Sequence, residues 1–307
     1  MRPGVYNLRA FKLGLAAARL LPRPIAHRLA VALGQQVYKR QGSARDALMQ
    51  NLKFISGLAG EELDRLCTKN VSNFARMLAD YFYCAGGGNA RSLLDDWEGI
   101  EHLEAACSQG NGVILVTAHL GNWELGGILL ALRGFPMSVV TLEEPTTELT
   151  RWRDAYRRQV GIRTHAVGPG HDFAFVEMIR TLRAGGIVAM LVDRPYAGSG
   201  VPVEFFGRKT EFSSAPGLLW QHTGAAVIPA FVLHNETGRY TAFAQAPIAF
   251  ARSTEPRADL AANTQLLAHH FEHVIRQHPE QWFNYVPIWP ADLAVSPAAA
   301  ATLPTGS

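Results

Sequence analysis

Residues 112–124 read Gly-Val-Ile-Leu-Val-Thr-Ala-His-Leu-Gly-Asn-Trp-Glu. The first half is a short, wholly apolar, β-branched run entered through Asn111-Gly112, the pattern of a strand buried on both faces of a parallel sheet. The second half changes character. Asn122 is suited to cap a helix that begins at Trp123, runs to about Arg133 and stops at Gly134. Outward from this unit the same alternation recurs. Apolar runs at Met137–Leu142, Gly186–Val192 and Ala226–Leu233 are separated by helical text around Thr147–Val160, Phe173–Ala184 and Ala215–Gln221. This predicts an α/β fold with a mainly parallel central sheet flanked by helices, and ligands at the carboxyl ends of the strands.

Upstream, helical periodicity dominates residues 1–110, broken at Pro22 to Pro24, Gly42 and Gly86-Gly87-Gly88. The first 45 residues carry nine Lys or Arg and no Asp or Glu, so the rest of the chain is net negative although the whole is +3. These cations alternate with Val5, Leu8, Phe11, Leu13, Leu20 and other apolar residues. The reading is a basic amphipathic helical segment (residues 1–45) lying on an anionic membrane surface. Residues 46–290 are expected to form the main folded domain, and an Ala/Pro/Ser tail (residues 291–307) is expected to be disordered. No later basic cluster interleaves with aromatics, so no nucleic-acid partner is expected.

Of 307 residues, 48% are hydrophobic and 18% charged, which excludes a disordered chain or a coiled coil. Lys12, Arg19, Pro22 and Arg23 interrupt the N-terminal apolar pattern short of a membrane span, and no signal peptide is evident. The uncharged run from Phe212 to Asn235 contains Pro216, Gly224 and Pro229 and reads as a helix followed by a buried strand. Cys67, Cys84 and Cys107 are too few and too widely spaced for a disulfide framework or a metal clip.

His119 falls at the strand tip and Glu124 in the first turn of the following helix, where the macrodipole favours a negative charge. On one continuous helix the two side chains would diverge; across a loop, with Gly121 as a bend, they can meet. A carboxylate on one imidazole nitrogen fixes the tautomer and frees the other to take a proton from a hydroxyl. His119 as general base and Glu124 as its orienter is therefore the expected catalytic pair. A rival is His269-His270-Phe271-Glu272-His273, which fits the H-x-x-E-H zinc-hydrolase pattern, but its third ligand is available only from Glu280 or Asp292. A catalytically idle lipid-binding protein is the other alternative. No nucleophile elbow surrounds Ser199, and P-loop and dinucleotide fingerprints are absent.

The His-Leu-Gly-Asn-Trp-Glu-Leu segment resembles the His-x4-Asp/Glu motif of glycerophosphate-type acyltransferases, in the branch of bacterial lipid A late acyltransferases and phosphatidylinositol mannoside acyltransferases. Arg157-Arg158-Gln159-Val160-Gly161 is similar to that family's Arg-x3-Gly stretch. Val192-Asp193-Arg194-Pro195 through Gly200-Val201-Pro202-Val203-Glu204-Phe205-Phe206-Gly207 is similar to its Asp-bearing strand end and Phe-Phe-Gly loop. Pro279-Glu280-Gln281-Trp282-Phe283-Asn284-Tyr285 closes the match, which spans about residues 40 to 290. The resemblance implies acyl transfer from acyl-carrier protein or coenzyme A to a lipid or glycolipid hydroxyl, such as that of a lipid A precursor, by a peripheral enzyme on the cytoplasmic face of the inner membrane. It implies no cofactor and no metal. Arg157 would bind a phosphate or stabilise the oxyanion. Asp193 would orient Arg157 or meet the acceptor, and Asn122 and Arg194 complete the expected substrate-binding set.

Overall fold

The computed structural model describes residues 8–40, 42–196, 198 and 200–289; the expected tail at 291–307 lies outside them. Four helices come first: α1 (Leu8–Leu20), α2 (Arg23–Arg40), α3 (Gly42–Ser56) and α4 (Gly60–Ala85). The alternating part then runs β1 (Leu94–Glu98), α5 (Ile100–Ser108), β2 (Val113–Thr117), α6 (Trp123–Leu132), β3 (Met137–Leu142), α7 (Thr147–Gln159), β4 (Arg163–Val167), α8 (Ala174–Arg183) and β5 (Ile187–Leu191). A hairpin of β6 (Gly200–Phe205) and β7 (Arg208–Ser213) precedes α9 (Ala215–Thr223), β8 (Ala226–His234), β9 (Tyr240–Ala244) and α10 (Pro256–Gln277).

Seven strands form one sheet in the order β1-β9-β8-β2-β5-β3-β4, parallel except that β9 runs antiparallel to β8. The sheet class and its four apolar strands are as the sequence predicts. The elements it leaves out are edge or two-faced strands. Leu94–Glu98 reads Leu-Asp-Asp-Trp-Glu and exposes most of its side chains at one margin, while β4 at the other margin buries only His165 and leaves the rest half-buried or exposed. Here backbone pairing, rather than burial, makes the strand.

Centrally, β2 is flanked by β8 and β5, and Val113, Ile114 and Val116 are fully enclosed. The parallel register sets Thr117 opposite Leu191. His119 and Asp193, each two residues beyond those partners, therefore leave the sheet side by side. The long α4 packs over this carboxyl edge and against α1 and α2. A buried carboxylate locks α2 in place: Asp80 accepts two bonds from Arg23 (2.7 and 2.9 Å), one from His27 (2.8 Å) and one from the Tyr240 hydroxyl (2.8 Å).

Among the described residues, no helix is long and apolar enough to cross a membrane. On α1 only Phe11 is buried, while Arg9, Lys12, Leu13, Arg19 and Leu20 share an outward stripe; Leu13 is 73% and Leu20 81% exposed. The boundary expected at residue 45 falls inside α3.

Candidate active site

The loop between β2 and α6 carries His119 and is fastened at three points. Gly121 N–H donates to the Gln281 carbonyl (2.9 Å), Phe283 N–H donates to the His119 carbonyl (2.6 Å), and Asn122 N–H donates to the Val232 carbonyl (2.7 Å). Gly121 turns the chain at φ +66°, and a Cβ there would lie 2.1 Å from the Val232 oxygen. Both the backbone region and the space require glycine. Asn122 is fully buried and accepts the Leu125 N–H (3.0 Å), so it caps α6 as expected. Its oxygen is therefore taken up by the helix, and the residue does not line the cavity, contrary to the substrate-binding role the sequence reading gave it.

The partner of His119 is the main departure from the sequence reading. Its Nδ1–H donates to Asp193 Oδ1 at 2.6 Å, and the other oxygen of Asp193 accepts His119 N–H (3.1 Å), Trp282 Nε1–H (3.0 Å) and the Asn284 amide (3.0 Å). Asp193 is fully buried, and four donors hold it charged. Burial alone would raise its pKa, but the imidazole beside it, that hydrogen bond, Arg194 and Asn284 bring it well below the ordinary carboxylate range. Glu124, expected in this position, points elsewhere: its Oε1 accepts from Arg157 (3.0 Å) and Arg153, and Arg153 also donates to Glu144 (2.5 Å). Burial raises Glu124, yet Arg157 and Arg153 outweigh it and keep the carboxylate ionised. A first-turn position on α6 aims this side chain along the helix toward α7, away from the loop.

His119 Nε2 faces the cavity and accepts a hydrogen bond from the Arg194 guanidinium. Burial lowers the pKa of the ring; Asp193 opposes this and Arg194 reinforces it, and the net shift is below histidine's ordinary 6.5. The ring is therefore neutral at neutral pH, with Nδ1 protonated and the Nε2 lone pair outward. Trp123 meets its edge, with ring centroids 5.6 Å apart.

The cavity has a volume of about 480 Å³ and runs from His119 between the sheet and α6, with Phe11 of α1 and Tyr81 of α4 in its wall. That lies in the roughly 300–1,000 Å³ range of small-molecule sites. Its depth is apolar, and Gly126 and Gly127 contribute no side chain on the α6 side. Its polar rim is the Glu124–Arg153–Arg157 group beside His119. Arg157, although it stands on an Arg-rich helix, is only 6% exposed. Phe205 of the Phe-Phe-Gly loop is fully buried against Phe212, Trp282 and Trp289 in the core.

Sequence reasoning missed Arg153, Trp282 and Asn284. The last two sit two residues apart in an extended segment that bridges Leu120, so both point to one side. Their alternation in Gln-Trp-Phe-Asn-Tyr is a strand signal, but only the fold reveals its target. On α10, His269 and His273 contact Gln265 and Gln277, and Glu272 accepts the Phe206 N–H. Among the described residues no three His, Cys, Asp or Glu side chains gather as a metal donor set.

A histidine paired with a buried aspartate at the mouth of an apolar cavity on a parallel sheet is an arrangement suited to base-catalysed acyl transfer. The chain belongs to the bacterial lipid A biosynthesis acyltransferase family, whose profile matches residues 5–289. It is 30% identical over 292 residues to a phosphatidylinositol mannoside acyltransferase of Mycobacterium tuberculosis, covering 94% of this chain and 90% of that one. It is 27% identical over 288 residues to the Mycolicibacterium smegmatis protein of the same description, covering 92% of each. A lipid A biosynthesis acyltransferase of Haemophilus influenzae is 32% identical over 148 residues, 46% of this chain and 44% of that one.

Proposed function

We propose that this acyltransferase moves a fatty acyl group from a thioester, carried by acyl-carrier protein or coenzyme A, to a hydroxyl of a glycolipid or lipid acceptor such as a lipid A precursor. The observation that carries the reading is the neutral His119, tautomer fixed by Asp193, opening onto an apolar cavity. Nε2 takes the acceptor proton as its oxygen bonds to the thioester carbonyl carbon. The tetrahedral oxyanion then collapses, the carbon–sulfur bond breaks, and the imidazolium returns the proton to the leaving thiolate. No acyl-enzyme is required.

Arg157 offsets the developing oxyanion, and Glu124 acts as a positioning residue that holds Arg157 and Arg153 at the rim. The cavity takes the acyl chain. The names of the mycobacterial relatives support a glycosylated acceptor. The outward leucines and cations of α1 support a peripheral attachment to an anionic membrane, which we assign to the cytoplasmic face of the inner membrane. His119→Ala tests the reading. Transfer of a labelled acyl group should fall by about 10²–10⁴ while the thermal midpoint and vesicle binding hold; transfer at the normal rate overturns it.

A further inference from the structure

The nitrogen that must accept the substrate proton is already engaged. Nε2 has one lone pair in the ring plane, and a guanidinium N–H of Arg194 occupies it. An acceptor hydroxyl needs that same direction, so Arg194 has to leave before the base can work.

The surroundings say what can draw it away. Arg153 and Arg157 in the same cavity are already paired with Glu124 and Glu144. Among the described residues, no carboxylate lies within ion-pair distance of the Arg194 guanidinium. Asp193, its neighbour in sequence, already accepts four hydrogen bonds. Among the described residues the Arg194 guanidinium hydrogen-bonds only to a neutral imidazole; such a partly buried cation is an incomplete pair, and an oxyanion would complete it. Phosphate is the anion that fits the reaction. The pantetheine arm of a thioester donor ends in a phosphate ester, and a lipid headgroup can bring one too.

We infer that Arg194 is an anion-operated cover on the catalytic nitrogen: it holds His119 Nε2 until a substrate phosphate draws the guanidinium away and frees the lone pair for the acceptor hydroxyl. This rests on the proposed role of His119 as base. Hydrolysis of the thioester by stray water would then be suppressed until a phosphate-bearing substrate is seated.

Diethyl pyrocarbonate carbethoxylates a free imidazole lone pair, so the rate of His119 modification in the full-length protein, followed by peptide mass spectrometry, reads the cover directly. The exposed His269 serves as an internal reference. A hydrogen bond from a charged donor of ordinary strength should hold His119 about 10- to 100-fold below its uncovered rate. Inorganic pyrophosphate should raise the wild-type rate saturably by about that factor, and Arg194→Gln should react at the raised rate without anion and ignore it. Acceleration by unacylated coenzyme A assigns the phosphate to the donor; acceleration by phosphatidic acid in detergent micelles assigns it to the acceptor. Equal rates in wild type and Arg194→Gln, or a wild-type rate indifferent to pyrophosphate, overturn the inference. Should the variant fail to fold, the wild-type response alone decides. Acyl transfer that survives carbethoxylation of His119 would instead overturn the base assignment, leaving the labelling result intact.

Discussion

Replacing Asp193 by Asn separates the two carboxylates that compete for the role of orienter. The amide oxygen can take the place of Oδ2, keeping the bonds from His119 N–H, Trp282 and Asn284, but its NH2 group then faces His119 Nδ1. Two donors cannot share that bond, so the ring adopts the tautomer protonated on Nε2, and the base is lost. The expected fall in kcat is about 10²–10⁴, or roughly 2.7–5.5 kcal/mol of barrier. Stability changes less, by about 1.5–3 kcal/mol for the one charge-assisted bond lost. Asp193→Ala is a poorer probe, because it strands four buried or part-buried donors at about 1–3 kcal/mol each, a sum comparable with the roughly 5–15 kcal/mol stability of a whole domain. Steady-state transfer with a labelled thioester, alongside thermal unfolding, measures both effects. If Asp193→Asn keeps kcat within about tenfold of wild type while Glu124→Gln abolishes it, the relay is wrong and the acid of the His-x4-Glu motif is the true orienter.

Gly121→Ala places a Cβ 2.1 Å from the Val232 oxygen at a positive φ; the loss should be about 3 kcal/mol or more, seen in thermal unfolding, and a midpoint unchanged from wild type would contradict it. The neutral form of His119 is the active one, and in the free enzyme burial, then Arg194, lower its pKa against the pull of Asp193, so kcat/KM should stay level as pH falls past 6.5 and drop only below it. An acid limb centred above 6.5 in the pH–rate profile would show that the ring is less desolvated than described. Gly127 lines the cavity, and a Cβ on it would meet Ile162 at 3.5 Å. Gly127→Leu should therefore shift donor preference toward shorter acyl chains in a chain-length series, and an unaltered profile would remove α6 from the acyl wall.

The fold was legible where burial on both faces writes an unbroken apolar run, as in Val113–Thr117 and Ala226–His234. It was obscure where a strand lies at an edge, because Leu94–Glu98 carries three acids and meets solvent. His119 was legible because a strand tip, a bend glycine and a capping Asn converge on it. Its partner was not. Proximity in sequence favoured Glu124, five residues on, whereas the parallel pairing of β2 with β5 delivers Asp193 from 74 residues away. Arg157 was legible only through the family resemblance, because its Arg-rich helix gives no sign of burial; the packing of α7 over the rim buries it.

The segment that fastens the histidine loop, residues 281–284, comes after every strand of the sheet in the chain. Until it docks, Asp193 lacks its indole and amide donors and the loop lacks two of its backbone ties. The relay proposed for His119 is thus completed by a stretch that follows every strand of the sheet, a clasp closed over the carboxyl edge from the far end of the fold.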